Sequence, residues 1–231
     1  CPALVVFPES EQITEISPYL DALDRVLDLV EAIEAAGIPV HHLDLGGGLG
    51  ITYTDEQPPT ADALIGALLA KIDARGHGHR EILMEPGRSL VGNAGVLLTE
   101  VLYLKPGEHK NFCIVDAAMN DMARPAMYEA WMGIVPCQQR DDTTQTWDVV
   151  GPVCESGDWL GRDRALAVQP GDTLAMLSAG AYGMTMASNY NSRPRAAEVM
   201  VDGAQVTLIR ARETVESLFA GERLIDGHSR L

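Results

Sequence analysis

The chain has 231 residues, of which 46% are hydrophobic and 22% charged, enough to bury a core in one large domain or two modest ones. Its 17 basic and 33 acidic residues leave a formal charge of −16, which repels phosphate backbones and argues against nucleic acid as a partner; solubility accounts for the charge itself. The sequence contains no apolar run of the ~18 residues a spanning helix needs, so no membrane partner is expected. Cys1, Cys113, Cys137 and Cys154 form no CxxC pair, and His41 and His42 are neighbours that a strand would turn to opposite faces. Neither a disulfide framework nor a metal site is indicated, and a reducing, cytoplasmic setting is expected.

Along the chain, residues 1–12 carry Pro2 and Pro8 and read as irregular. Ser17 and Pro18 read as an N-cap and first helical residue, with Leu20, Leu23, Leu27, Val30 and Ile33 on one face and Gly37 closing the helix. A short strand over residues 40–45 runs directly into Gly46, Gly47, Gly48, Leu49 and Gly50. Thr60 caps a second helix with Leu64, Leu68 and Ile72 on one face and Gly76 beyond its end. A strand over 81–84 leads into Glu85, Pro86, Gly87 and Arg88 and a helical turn to about residue 95. This alternation predicts a parallel α/β unit over residues 1–95. Strands are then predicted over 96–104, 111–115, 147–153, 173–177, 197–201 and 205–210, the last two joined by a turn at Asp202 and Gly203. With a terminal helix over 213–220, residues 96–231 read as a mostly antiparallel β domain.

Five stretches can carry chemistry, and each has a plainer reading. The glycine triplet can close successive backbone amides around a phosphate or simply make a tight turn. No Walker lysine follows it, and it does not spell a dinucleotide fingerprint. Glu85 and Arg88 follow the next strand at the same end of the sheet, so they can serve two ends of one ligand or pair with each other. Cys154 stands beside Glu155 and near Asp158; carboxylates raise a thiol pKa and suit it to proton donation, unless Cys154 is a buried strand end. Tyr182, among Ala179, Gly180, Ala181 and Gly183, can approach a ligand closely or pack in a hairpin. Asn189, Tyr190, Asn191, Ser192, Arg193, Pro194 and Arg195 form a polar, basic island that is otherwise a solvated loop.

The order and spelling of these stretches resemble the diaminopimelate decarboxylases, of the group IV, fold-type III pyridoxal-phosphate decarboxylases. The matching residues run from His42 to Gly50, from Glu85 to Arg88, from Asp116 to Asp121 with Arg124, Pro125 and Tyr128, from Gly151 to Asp158, and from Ala179 to Gly183 with Asn189 to Pro194. The resemblance covers nearly all of this chain but about the second half of the family's usual length. It implies the C-terminal part of a (β/α)8 barrel over residues 1–95, followed by a β domain, in a homodimer with shared active sites. It implies pyridoxal 5'-phosphate as cofactor and loss of carbon dioxide from meso-diaminopimelate, an amino-acid substrate, to give L-lysine. Gly46, Gly47, Gly48 and Arg88 are then implied at the cofactor phosphate, Pro86 and Gly87 at the cofactor, and Arg88 also at the substrate. Glu85 is implied at the pyridine nitrogen, Tyr182 at cofactor and substrate, and Arg124 and Tyr128 at a substrate carboxylate. Cys154 is implied as proton donor, and Glu155 as reader of the distal ammonium. Glu85 speaks for a decarboxylase over a racemase of similar barrel, and Cys154-Glu155 for diaminopimelate over ornithine.

The chain departs from that family in two places. Its lysines are Lys71, Lys105 and Lys110, none on an early barrel strand where the family keeps its Schiff-base lysine. Pro8, Glu9, Ser10, Glu11 and Gln12 stand where the family has a His-x-Gly-Ser segment. The chain is therefore expected to be a C-terminal portion short of about five barrel strands and inactive alone. An ornithine-, arginine- or carboxynorspermidine-type decarboxylase and a non-catalytic homologue that regulates a decarboxylase subunit are the alternatives.

Overall fold

Strand, helix and loop alternate through the first hundred residues because apolar residues recur first at helical spacing and then in short β-branched or leucine-rich runs. The computed structural model describes residues 3–5 and 12–224. It divides into two units, Cys1–Val96 with Leu177–Ala181, and Leu97–Met176 with Tyr182–Leu231.

In the first unit the order is β1 (Ala3–Val5), α1 (Ser17–Ala35), β2 (His42–Asp44), α2 (Ala61–Ala74), β3 (Glu81–Leu83), α3 (Gly87–Val91) and a 3-10 turn over Gly92–Ala94. β2 lies between β1 and β3, parallel to both, with Leu43 opposite Leu4 and Ile82. The opening is thus not wholly irregular: the three apolar residues of β1 were too few to show a period, and residues 1, 2 and 6–11 lie outside the described residues. Leu23, Leu27 and Val30 of α1, Leu64, Leu68 and Ile72 of α2 and Leu43 and Leu45 form one buried cluster. Each buried Leu or Ile contributes about 1.5–3 kcal/mol.

The two helix starts differ. Thr60 is extended (φ −66°, ψ 153°) and its hydroxyl accepts the Ala63 amide at 3.2 Å, as predicted. Ser17 is not a cap; it lies inside the helix, after Ile16, whose backbone is already helical (φ −82°, ψ −32°) and gives no side-chain cap bond. Without an extended residue ahead of the first turn, a hydroxyl cannot reach the free amides.

The second unit holds β4 (Leu97–Lys105), β5 (Phe112–Val115), α4 (Arg124–Tyr128), β6 (Ile134–Pro136), β7 (Gln145–Val150), β8 (Trp159–Leu166), β9 (Thr173–Met176), a 3-10 turn over Tyr190–Ser192, β10 (Glu198–Asp202), β11 (Gln205–Arg210) and α5 (Val215–Leu218). Six strands form one sheet in the order β6-β9-β4-β5-β7-β8. Its neighbours are antiparallel except β5 and β7, which run parallel. The sheet curls until its edges meet: a side chain at Gly161 on β8 would lie 2.9 Å from the Ile134 side chain on β6. β10 and β11 make a separate hairpin. Asp202 pairs with Gln205, so the turn residues are Gly203 (φ 57°) and Ala204 rather than Asp202 and Gly203. The terminal helix is one turn, opened by a capping box at Thr214; Glu213 bonds to Arg195 instead of joining it.

Among the described residues, no helix is long and apolar enough to cross a membrane, and no three His, Cys, Asp or Glu side chains gather as a metal site. The Thr60 cap can be tested directly. Thr60→Ala is expected to cost about 1 kcal/mol, read as a lowered denaturant midpoint with unchanged slope.

Candidate active site

In the first unit, the site begins where β2 stops. The Asp44 carboxylate accepts the Gly46 amide at 2.9 Å and turns the chain. Gly46 (φ 65°) and Gly48 (φ 85°) then take left-handed conformations that cost a side-chain-bearing residue strain. The β2–β3 ladder continues past the strand ends: Leu45 N–H donates to the Leu83 carbonyl at 3.0 Å and Glu85 N–H to the Gly46 carbonyl at 2.7 Å. A Cβ on Gly47 would stand 2.2 Å from the Glu85 carbonyl oxygen. The Tyr19 hydroxyl donates to the Gly47 carbonyl at 3.2 Å, and burial pushes its pKa up to about 12. The two sequence-predicted loops therefore lie side by side at the carboxyl ends of neighbouring parallel strands. Among the described residues the amides of Gly47 and Gly48 have no acceptor. The Glu85 side chain is exposed, while Arg88 is 8% exposed and donates through Nη1 to the Tyr53 hydroxyl at 2.6 Å.

Residues 177–181 return to this unit. The Ala179 amide donates to Gly95 (2.8 Å), the Gly180 amide to Gly92 (3.1 Å) and the Ser178 hydroxyl to Asn93 Oδ1 (2.9 Å). Gly180 has no room for a side chain, whose Cβ would be 1.8 Å from the Val91 carbonyl oxygen.

In the second unit, Cys154 and Glu155 ride on a turn held by Asp158. That carboxylate is 4% exposed and accepts the Met119 amide and the Val153 amide, both at 2.7 Å. Gly151 packs so closely that a Cβ would be 2.5 Å from Asp158 Oδ2 and 2.7 Å from the Ala117 carbonyl oxygen. Asn120, 2% exposed, accepts Arg193 Nε at 2.8 Å on its side-chain oxygen and the Ser188 amide at 2.9 Å on its carbonyl. Beside it, burial raises the Asp121 carboxyl above the usual range. Arg124 is buried, and its guanidinium lies 5.8 Å from the centre of the Tyr182 ring. Tyr182 sits at φ 59°, a left-handed conformation that is an outlier for so bulky a residue. Tyr128 is half-exposed at the end of α4.

Cys154 and Glu155 are exposed, which removes the reading of Cys154 as a buried strand end. Among the described residues Cys113 is the buried thiol, its pKa raised to about 11 by its burial. The Glu155 carboxylate accepts the Tyr190 hydroxyl at 3.1 Å. The structure thus groups Gly46, Gly47 and Gly48 with Glu85 and Arg88 in one unit. In the other it brings Arg124 to Tyr182 and Glu155 to Tyr190. Sequence reasoning gave no role to Tyr19, Tyr53, Asn120 or Arg193 as holders of the site, and it read Asp158 only as an acid near Cys154, not as the clasp on the Met119 and Val153 amides. Asn120, Asp158 and Arg193 lay inside recognised stretches, but Tyr53 and Tyr19 had no local signal.

Residues 16–180 match the family model described as "Pyridoxal-dependent decarboxylase, C-terminal sheet domain". The diaminopimelate decarboxylase of Pseudomonas aeruginosa is 55% identical over 214 residues, covering 93% of this chain and 51% of that protein. The diaminopimelate decarboxylase of Haemophilus influenzae is 52% identical, covering 93% and 51%. Among solved structures, diaminopimelate decarboxylase from M. jannaschii in complex with L-lysine superposes with a TM-score of 0.88 at 40% identity, covering 94% of this chain and 50% of that one. The chain spans about half the length of the curated relatives it matches.

Two outcomes follow from this geometry. Gly47→Ala forces a methyl into a backbone oxygen and is expected to destabilise the first unit by about 1–3 kcal/mol, seen in thermal or denaturant unfolding. Glu213 accepts both Arg195 and Asn189, and the Arg195 hydrogen bonds hold its pKa down at about 2. A depressed carboxylate stabilises above its ordinary pKa, and that contribution is lost as pH falls toward the depressed one. The stability gap between the unsubstituted chain and Glu213→Gln is therefore expected to be full near neutrality and to close between about pH 4.5 and 2.

Proposed function

The chain belongs to the pyridoxal-dependent decarboxylase family, and on that premise we propose that it is the C-terminal half of a diaminopimelate decarboxylase. The reaction releases carbon dioxide from meso-2,6-diaminoheptanedioate and leaves L-lysine, the last step of lysine biosynthesis. One observation carries this reading above the others: the glycine loop and the Glu85 loop share a backbone contact at Gly47, so phosphate donors and a ring-facing acid come from adjacent strand ends.

The residues present fit pyridoxal phosphate. Gly47 and Gly48 have amides without acceptors among the described residues, and Arg88 adds a guanidinium in the same unit. Bound pyridoxal phosphate supplies a sink for the electron pair left when carbon dioxide departs. Glu85 holds the proton on the pyridine nitrogen and keeps the ring cationic. Pro86 and Gly87 carry the backbone between these two groups; a Cβ on Gly87 would meet nothing within 4 Å, so the backbone there is open to a ligand. Arg124 and Tyr128 grip a substrate carboxylate, the arginine by its planar fork. Tyr182 flanks cofactor and substrate. Cys154 holds the proton delivered to the carbon that loses carbon dioxide, and Glu155 takes the distal ammonium.

In this reading β1, β2 and β3 belong to a (β/α)8 barrel, and a homodimer completes two shared sites in the cytoplasm. None of the chain's lysines suits a Schiff base. Lys71 is tied to Asp24 and to the Leu20 carbonyl, Lys110 to Asp148, and Lys105 ends β4.

The 231 residues alone are expected to show no turnover. The complete polypeptide, in which this chain is joined to the remaining half of its relatives' length, is expected to release carbon dioxide from meso-diaminopimelate. Faster turnover of ornithine or arginine, or none on any of them, would overturn the proposal. In that polypeptide Cys154→Ala is expected to lower kcat by roughly 10²–10⁴ while L-lysine affinity, followed by calorimetry, stays unchanged.

A further inference from the structure

We propose that Tyr190 is a positioning residue for Glu155, and that the pair tells a distal substrate end bearing an ammonium from one without it. The proposal rests on the reading of Glu155 given above. The Tyr190 hydroxyl donates to Glu155 Oε2 at 3.1 Å, while the Gly157 amide stands 3.5 Å from Oε1. The carboxylate is thus steered through both oxygens by neutral donors. An arginine in place of Tyr190 would neutralise the acid and compete with an ammonium; a phenol orients it and leaves its charge available. The hydrogen bond from Tyr190 to Glu155 holds the phenol above its ordinary pKa, so it stays a donor across the neutral range.

The loop that presents Tyr190 is built for this contact rather than for packing. Tyr190 is half-exposed, so its ring is not a core residue. The next two residues, Asn191 (φ 59°) and Ser192 (φ 55°), are both left-handed without being glycine. Such strain persists only where the surroundings over-determine it. Here Asn189 Nδ2 reaches the Arg193 carbonyl at 3.0 Å and Glu213 at 2.6 Å. Arg193 in turn donates to Asn120 at 2.8 Å and to the Asp116 carbonyl at 2.5 Å. Those anchors lead, through Asn120 and Asp121, to the loop that also receives Asp158, the staple of the Glu155 turn. Donor and acceptor are therefore fixed to one framework.

The test uses the complete, pyridoxal-loaded polypeptide and two ligands, L-lysine and 6-aminohexanoate, which differ only by the ammonium distal to the reacting end. The unsubstituted protein is expected to prefer lysine in calorimetry. Tyr190→Phe should shrink that preference about five- to tenfold with 6-aminohexanoate affinity unchanged, and should raise KM for meso-diaminopimelate more than it lowers kcat. In a Glu155→Gln background, Tyr190→Phe should change nothing further. An unchanged preference, an equal loss for both ligands, or an effect that survives Glu155→Gln would overturn the proposal. An unsubstituted protein without any preference would overturn the reading of Glu155 itself, and the proposal with it. If Tyr190→Phe does not fold, ultraviolet difference titration of Glu155→Gln decides. One tyrosine should titrate lower than in the unsubstituted protein, and superimposable curves would sink the contact.

Discussion

A missing Cβ holds the first unit's site together. At Gly47 the chain passes so near the Glu85 carbonyl that a single methyl would sit 2.2 Å from its oxygen, well inside van der Waals contact. The contact is backbone against backbone, extended on one side by the Glu85–Gly46 hydrogen bond and on the other by Leu45–Leu83. Two loops joined this way inherit the register of the strands behind them, so the spacing between the Gly47 and Gly48 amides and the Glu85 backbone does not depend on rotamers. Tyr19 adds a third anchor from α1, tying the loop to the helix whose Leu23, Leu27 and Val30 fill the core. A site placed on strand ends and fixed by backbone contacts is more rigid than one carried on a free loop.

The second unit reaches the same end by a different means. Its candidate side chains, Cys154 and Glu155, are exposed, and what fixes their turn is buried and polar. Asp158 uses both carboxylate oxygens on backbone amides, and each such bond to a charged acceptor is worth about 1.5–3 kcal/mol. Asn120 spends its carbonyl and its side chain on Ser188 and Arg193. Buried polar groups fully satisfied in this way specify one loop arrangement, whereas a half-satisfied network would destabilise it. Close backbone approach recurs at Gly151, where Asp158 and Ala117 leave no room for a side chain.

How far the sequence disclosed this depends on the kind of force involved. Periodic burial was legible: the faces built on Leu23, Leu27, Val30, Leu64, Leu68 and Ile72 are those the spacing marks. Thr60 was legible and Ser17 was not, because a cap needs an extended residue and the sequence does not state the backbone angle of Ile16. β8 was missed because its sequence, Trp159 to Leu166, turns Arg164 inward between Leu160 and Leu166 and includes Gly161. Arg164 sits over the Trp131 ring, its pKa lowered to about 10 by burial, so a cation occupies a slot where alternation leads one to expect an apolar residue. β6, at three residues, was too short to show any pattern. The hairpin slipped by one residue for a related reason, since Asp-Gly signals a turn without stating which of its residues still pairs.

The site residues divide along the same line. Glycine loops, Glu85, Arg88, Arg124, Cys154, Glu155 and Tyr182 could be singled out as candidates because side-chain chemistry and spelling are visible in a sequence. The holders could not, because their work is defined by distance: Asp158 looks like one more acid near a thiol until its two oxygens are found on the Met119 and Val153 amides. That distinction also explains why an acid at 158 and an acid at 155, three residues apart, have opposite fates. Asp158 is consumed by amide donors and kept from solvent, so its charge is spent on the turn. Glu155 is exposed and steered by the Tyr190 hydroxyl and the Gly157 amide, so its charge remains available for a ligand. The turn thus sets a buried, structural carboxylate beside an exposed one within four consecutive residues, and the difference is set by which carboxylate the backbone amides reach.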